Sequence, residues 1–371
     1  MAGVLGVAGL VRPDLMSQLF HGGDLQAASK LYGLAADDWL DLSTGINPSS
    51  YPAPAIEAKV WQQLPYLQPD VIAAAHSYYG THDCLPSSGS QPIIELLPKV
   101  LRQLGNSQAA WLADVGYQEH RHGWAQCGPV QTYNGLSHSN AVQQINTALT
   151  QGEIGHLIII NPNNPTGVLF SIAQLQQWAS QLAAKDGFLV VDEAFIDTQP
   201  NASLLNHKLA ANVVVLRSVG KFFGLAGIRL GFTFASAKVL ASLSKQVGPW
   251  SVNGPAQTVA IAALSDQAWQ TQMRQQLAQQ AAKQLALWHD PLQQLGASVA
   301  AQHELFRSFA MSPSLAQQLH QSAAQDGILL RLVDINSSMS LLRFGNIDFN
   351  HASAIARCQT WLHSLPTQVT A

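Results

Sequence analysis

The stretch His156-Leu157-Ile158-Ile159-Ile160-Asn161-Pro162-Asn163-Asn164-Pro165-Thr166-Gly167 decides how the rest of the chain is read. A short, nearly continuous β-branched run is what a parallel strand buried on both faces looks like. It stops in two X-Pro steps and a glycine, which fix a rigid turn at the strand's carboxyl end. Residues 171–184 follow, with Leu175, Trp178, Ala179 and Leu182 at helical spacing. Residues 188–191 then form a second apolar strand, closed by Asp192. Strand, helix, strand is the repeating unit of a parallel sheet. Residues 109–113, 213–216 and 230–234 have the same texture. The fold class that follows is α/β, with a mostly parallel sheet in a large domain.

The last third reads differently. A Gln/Ala/Leu-rich stretch from Ala256 to about Leu295 predicts one long connecting helix, broken only at Asp290-Pro291. Residues 298–309 and 338–344 read as strands, and 314–325 and 351–363 as helices, giving a smaller α+β domain. The first 64 residues are too short and broken to stand alone. The expected division is 1–64 joining the small domain, 65–285 as the large domain, and 286–371 as the small one. No internal repeat or long linker is visible.

Composition narrows the function classes. Of 371 residues, 47% are apolar, enough for a large core, and only 11% are charged. A net charge of −3 offers no electrostatic reason to bind nucleic acid or an anionic membrane. No apolar run is long enough for a transmembrane helix. Cys84, Cys127 and Cys358 form no CxxC pair, which argues against a disulfide framework and a zinc ribbon and for the reducing cytoplasm. The apolar run Met1–Val11 lacks a positive leader region and an A-x-A site, so it is read as a loose N-terminus rather than a signal peptide.

Four segments carry chemistry. In Ser218-Val219-Gly220-Lys221-Phe222-Phe223-Gly224, a lysine follows a strand in a glycine-punctuated, apolar loop, with Arg229 eight residues on. Desolvation lowers a lysine's pKa toward the neutral amine that condenses with carbonyls. Ser218 and Arg229 suit a phosphate. In Val191-Asp192-Glu193-Ala194-Phe195, an acid ends a buried strand, where open α/β sheets bind ligands. Its carboxylate needs a cation, and a protonated ring nitrogen is one such partner. No His or acid cluster with metal spacing stands nearby, so no metal is expected. Asn164 offers an amide donor from the turn quoted above. Ser87-Ser88-Gly89-Ser90-Gln91-Pro92 runs into a helix start whose free N–H groups suit an anion.

The order anion loop, aromatic, NNPTG, DEAF, SxxK and later arginine resembles the fold-type I pyridoxal-phosphate enzymes, the aspartate aminotransferase superfamily, over nearly the whole chain. The resemblance implies that fold and pyridoxal 5'-phosphate as cofactor. It implies that Lys221 carries the cofactor, Asp192 pairs its ring nitrogen and Asn164 donates to its phenolic oxygen, these three being catalytic. Tyr117 matches the ring stacked on the cofactor. Ser90, Gln91, Ser218 and Arg229 match its phosphate cup. Tyr66 matches a tyrosine sent across a homodimer interface to that phosphate, so that active sites are shared.

Within the superfamily, His21-Gly22-Gly23-Asp24, the run from Trp39 to Pro48, Arg217–Gly224 and Asp192–Asp197 resemble the threonine-phosphate decarboxylases of cobalamin synthesis. The implied reaction is decarboxylation of L-threonine O-3-phosphate to (R)-1-aminopropan-2-ol O-phosphate. The alternative is transamination of the histidinol-phosphate type. Phe195 stands where transaminases place a tyrosine that bonds the phenolic oxygen, which weakens that alternative. Arg331 and Arg343 lie among aliphatic neighbours, and buried arginine needs an anion. Structural pairing with Asp334 or Asp348 is one reading. By resemblance, Arg343 takes the substrate's α-carboxylate, and Arg331 and His21 take its phosphate. The expected partner is therefore a small phosphorylated amino acid. A non-catalytic sensor on this fold would carry a DNA-binding helix-turn-helix extension, and none is read here.

Overall fold

A computed structural model describes residues 22–368. Seven strands form the central sheet: β1 (Cys84–Ser87), β2 (Ala110–Ala113), β3 (Val130–Tyr133), β4 (His156–Ile160), β5 (Phe188–Asp192), β6 (Val213–Ser218) and β7 (Gly231–Phe234). Their order is β1-β7-β6-β5-β4-β2-β3. Only β7 runs against the rest, pairing antiparallel with both β1 and β6. Every residue of β4 and β5 is buried, which explains their unbroken apolar texture. The helix Ile172–Ala183 buries Leu175, Trp178, Ala179 and Leu182, the four residues whose spacing predicted it. Ile160 lies opposite Asp192, and Asp192 opposite Leu216. The turns that follow β4, β5 and β6 therefore open on one edge, where they present Asn164, Asp192 and Lys221.

A second core gathers Leu42, Trp288, Phe309, Phe344 and Trp361. Its antiparallel sheet contains β8 (Ser298–His303), β9 (Phe306–Met311), β10 (Arg331–Asn336) and β11 (Met339–Gly345) in the order β10-β11-β9-β8. The segment expected as one strand over 298–309 is a hairpin that turns at Glu304 and Leu305. Near the N-terminus, Leu40–Asp41 pairs parallel with Ile328–Leu329 on this second body. A few residues on, Asn47 N donates to Lys221 O at 3.0 Å and Tyr51 N to Phe223 O at 2.8 Å, so the segment crosses to the central sheet.

The single connecting helix expected from Ala256 is two helices, Gly254–Ser265 and Gln267–Gln294. Asp266 separates them as an N-cap, its carboxylate accepting from Trp269 N at 2.9 Å. Pro291 does not break the second helix. It sits one turn from the end, between fully buried Trp288 and Leu292, whose packing outweighs one lost hydrogen bond. Among the described residues, no helix is long and apolar enough to cross a membrane.

One buried ion network ties β5 to β6. Arg217 donates to Glu193 Oε2 at 3.0 Å and to Asp197. The Ser203 hydroxyl and Leu204 N donate to Glu193 at 2.6 and 2.7 Å, and the Tyr78 hydroxyl donates to Asp197 at 3.0 Å. The Arg217 guanidinium also lies 4.6 Å from the centre of the Tyr79 ring. Removing one partner of such a group strands the others without water. Arg217→Ala is expected to lower stability by about 3–5 kcal/mol, measured by urea unfolding of the holoenzyme. A loss below 1 kcal/mol would show that the network bears little of the fold.

Candidate active site

A crevice of about 540 Å³ opens between the carboxyl edge of the central sheet and β10–β11. Lys221, Asn164, Tyr117, Arg343, Arg331 and Arg121 line it. Lys221 sits in the turn after β6, its ammonium 5.5 Å from the centre of the Phe195 ring. Loss of water, together with the positive charges of Arg343 and Arg229, pushes its pKa down to about 8, against the pull of Asp192. A good fraction of this lysine is thus a neutral nucleophile near physiological pH.

Asp192 is buried beside it, and Ala194 N donates to its Oδ1 at 3.0 Å. His120 Nε2 lies 2.9 Å from Asp192 Oδ2. With Asp192 ionised, the imidazole is the donor. His120 belongs to the first turn of the helix Gln118–Cys127 and is buried. Sequence reasoning passed over it, although it lies in the same short motif as Tyr117.

Next to the crevice wall at Tyr117, but outside the residues that line it, lies the loop expected to take an anion. Gly89 has φ +85°, and a Cβ there would come within 2.6 Å of Arg229 Nη2. Only glycine lets the guanidinium lie this close to the loop. Ser90 is the N-cap of the helix Gln91–Leu104, yet its side chain makes no capping bond. Gln91 accepts from the Tyr117 hydroxyl at 2.8 Å, which joins the loop to the aromatic wall. At the end of β6, Ser218 Oγ accepts from Gly220 N at 3.4 Å. The structure therefore gathers Ser90, Gln91, Ser218 and Arg229 beside Tyr117 and Lys221.

Arg343 is buried in β11 and donates to Asn164 Oδ1 and to the Ser43 carbonyl. Among the described residues, no carboxylate lies within 4 Å of it. Asp334 instead accepts from Ser340, and Asp348 faces His351, so neither neutralises Arg343. Register places Arg331 directly opposite it across β10–β11. Asn164 is partly committed, because its oxygen serves Arg343 and its NH₂ is the end left for a ligand. Arg121, one turn beyond Tyr117 and unremarked in the sequence, adds a third guanidinium to the wall.

Two expected residues are not in this assembly. Tyr66 is 70% exposed, edge-on to Trp250 at 5.9 Å, outside this chain's own crevice. His21 lies outside the described residues. Among the described residues, no cluster of His, Cys, Asp or Glu is placed to hold a metal ion.

The aminotransferase class I and II family model matches residues 59–343. A threonine-phosphate decarboxylase of Pseudomonas aeruginosa is 39% identical over 328 residues, 87% of this chain and 92% of its own. Another, from a Sinorhizobium species, is 39% identical over 254 residues, 67% of this chain and 72% of its own. The crystal structure of histidinol-phosphate aminotransferase from Sinorhizobium meliloti, in complex with pyridoxal-5'-phosphate, shares the fold with a TM-score of 0.76. It is 20% identical and covers 97% of this chain and 100% of its own. The chain therefore belongs to the aminotransferase class I and II family. It is a pyridoxal 5'-phosphate-dependent enzyme, and the residues present suit that cofactor. A depressed lysine lines the crevice, and a buried carboxylate and an arginine cradled by a glycine loop lie near that lysine.

The lysine's pKa makes a testable difference. In the apoprotein, reductive trapping of a small aldehyde at Lys221 is expected to rise with pH around a midpoint of about 8. Exposed lysines should follow their ordinary value near 10.4. Arg343→Met removes a repelling charge, so the midpoint should move up. Peptide mass spectrometry reads both, and a Lys221 midpoint equal to that of surface lysines would refute the desolvation account.

Proposed function

We propose that this protein decarboxylates L-threonine O-3-phosphate to (R)-1-aminopropan-2-ol O-phosphate and carbon dioxide, a step of cobalamin biosynthesis in the cytoplasm. The observation that carries the reading is a buried arginine with no carboxylate partner, Arg343, set in the same crevice as Lys221. The 39% identity to a threonine-phosphate decarboxylase supports the choice of substrate.

In this reading Lys221 holds the cofactor covalently. Ser90, Gln91, Ser218 and Arg229 take its phosphate, and Tyr117 covers its ring. Asp192, backed by His120, keeps the ring nitrogen protonated, and the Asn164 NH₂ donates to the phenolic oxygen. When bound, the cofactor supplies an electron sink for the pair left by a broken bond at Cα. The protein selects the bond that stands perpendicular to the ring. Arg343 does this by gripping the α-carboxylate as a planar fork, itself braced by Asn164 and the Ser43 carbonyl. Arg331 and Arg121 offer guanidinium groups to the phosphate. Lys221, in its protonated form, would return a proton to Cα.

The working unit in this proposal is a homodimer, in which Tyr66 reaches the partner's cofactor phosphate. Trp61, Leu64, Tyr66, Leu67 and Trp250 are all exposed, which supports a covered face there. Analytical ultracentrifugation should show a dimer at nanomolar concentration, and a fully active monomer would refute it.

Holoenzyme given O-phosphothreonine should release carbon dioxide. With histidinol phosphate and 2-oxoglutarate it should form no glutamate. The opposite pattern would replace the decarboxylase with an aminotransferase. Arg343→Lys keeps the charge but loses the fork. It should lower turnover and let Cα–H cleavage compete, seen as bleaching of the visible absorbance during turnover. Arg331→Ala should instead weaken substrate binding by roughly 2–5 kcal/mol, read as a raised KM. An unchanged KM would remove Arg331 from the phosphate site.

A further inference from the structure

A guanidinium orients a carboxylate only if its own plane is held. Arg343 is held at both nitrogens of its fork, Nη1 donating to Asn164 Oδ1 and Nη2 to the Ser43 carbonyl. Asn164 is placed by the turn after β4. The Ser43 carbonyl belongs to the N-terminal crossing segment, and Asp41 fixes it there. Asp41 Oδ1 accepts from Ser43 N at 2.8 Å and from the Ser43 hydroxyl at 2.6 Å. One carboxylate oxygen thus ties down both the amide and the side chain of Ser43, which leaves that residue little freedom in φ and χ1.

The surroundings close on the same residue. The Ser43 hydroxyl also accepts from Gly23 N at 2.7 Å. Gly22 lies so near that a Cβ there would fall 2.3 Å from the Ser43 oxygen. Asp41 stands opposite Leu329 in register, Leu42 N donates to Leu329 O at 2.9 Å, and Gly345 N donates to Leu42 O at 2.7 Å. Gly345 is two residues beyond Arg343 on β11, so acid and arginine hang from one backbone frame. Ser43 and Arg343 line the crevice, whereas Asp41 does not. Its charge still reaches the arginine. Burial, then the charge of Arg331, pull the Arg343 pKa down to about 9, and Asp41 opposes them.

We propose that Asp41 is a positioning residue for the reaction, acting through Ser43 to hold the plane in which Arg343 presents its fork to the substrate's carboxylate. This rests on the decarboxylation reading above. The acid touches no reacting atom. It fixes Ser43, the Ser43 carbonyl fixes one end of the guanidinium, and the guanidinium fixes which bond at Cα stands perpendicular to the cofactor ring. Loss of this carboxylate should therefore change which bond breaks as well as how fast.

The competing reading is that Asp41 only stiffens a turn, and measurements on the holoenzyme separate the two. Asp41→Ala should lower kcat for O-phosphothreonine by about 10- to 100-fold and raise the bleaching of visible absorbance per carbon dioxide released by about tenfold, as an ångström-scale misplacement does. Asp41→Asn keeps an oxygen acceptor for both Ser43 donors and should recover most of both. Binding of 1-aminopropan-2-ol O-phosphate, which lacks the carboxylate, should change by less than about threefold in Asp41→Ala. A merely stiffened turn predicts that both ligands weaken alike and that bleaching per carbon dioxide stays at the wild-type value; either result overturns the proposal. Asp41→Glu keeps the charge but displaces the acceptor, and serves if the alanine variant does not fold. A crystal structure of the variant needs no substrate, and a Ser43 carbonyl still seated on Arg343 would also overturn it. If the wild type forms glutamate and no carbon dioxide, the decarboxylation reading has failed. Asp41 is then judged by that structure and by the KM for 2-oxoglutarate, which should rise in Asp41→Ala and whose constancy would sink the positioning role.

Discussion

Arg217 is buried between Glu193 and Asp197, and the rest of the site depends on that contact. Glu193 follows Asp192 directly, and Arg217 stands one residue before Ser218 and four before Lys221. A clamp between these neighbours fixes how far the end of β5 sits from the end of β6. The carboxylate and the amine of the site inherit that spacing. The backbone does the same on the other side, where the Lys221 and Phe222 carbonyls accept from the amides of Asn47. The lysine's turn is thus gripped by β6 and by the N-terminal crossing segment.

Desolvation sets the chemistry of what this frame holds. Exclusion of water from Lys221 by burial makes its charged form costly, and the neighbouring guanidinium groups add to that cost. The same exclusion makes Arg343 seek an anion, because its protein partners are an amide oxygen and a carbonyl. A carboxylate that enters therefore meets a group whose hydration has already been removed during folding. Part of the free energy of ordering was spent when the chain folded, which is the physical content of preorganisation.

Much of this was legible in the sequence, and what was not was hidden for distinct physical reasons. Continuous apolar runs announced β4, β5 and β6, because a strand covered on both faces has no polar side to show. The turns bearing Asn164, Asp192 and Lys221 were legible for a related reason: strand, turn and helix alternate, so each reactive residue follows an apolar run. The break at Asp266 was not, since Gln, Ala and Leu favour helix on both sides and one capping carboxylate decides the matter. Pro291 misled in the opposite direction, because buried Trp288 and Leu292 hold the helix through it. His120, Arg121 and the partners of Arg217 were invisible for a third reason. Each acquires meaning only from a residue far away in the chain: 72 positions for His120 and Asp192, and 24 and 20 for Arg217 with its two acids. Periodicity reports on burial, and long-range polar pairing leaves no period.

Phe195 brings these strands of reasoning together. Its ring lies beside the Lys221 ammonium and packs edge-on against Phe306 and His303. A Cβ on Gly45 would fall 2.7 Å from it, so the site is close-packed on that side. A phenylalanine donates no hydrogen bond, and in the proposed reaction the contact to the phenolic oxygen falls to Asn164 alone. Asn164 is also the residue that braces Arg343. In the proposed reaction one amide would therefore link two functions, its oxygen steering the arginine that orients the carboxylate and its NH₂ steering the electronics of the ring. With a tyrosine at 195, the ring contact would have a second donor. In that reaction the plane of the carboxylate and the polarisation of the ring would not be adjustable separately. This coupling suits an enzyme that must keep one particular bond perpendicular to the ring throughout the reaction.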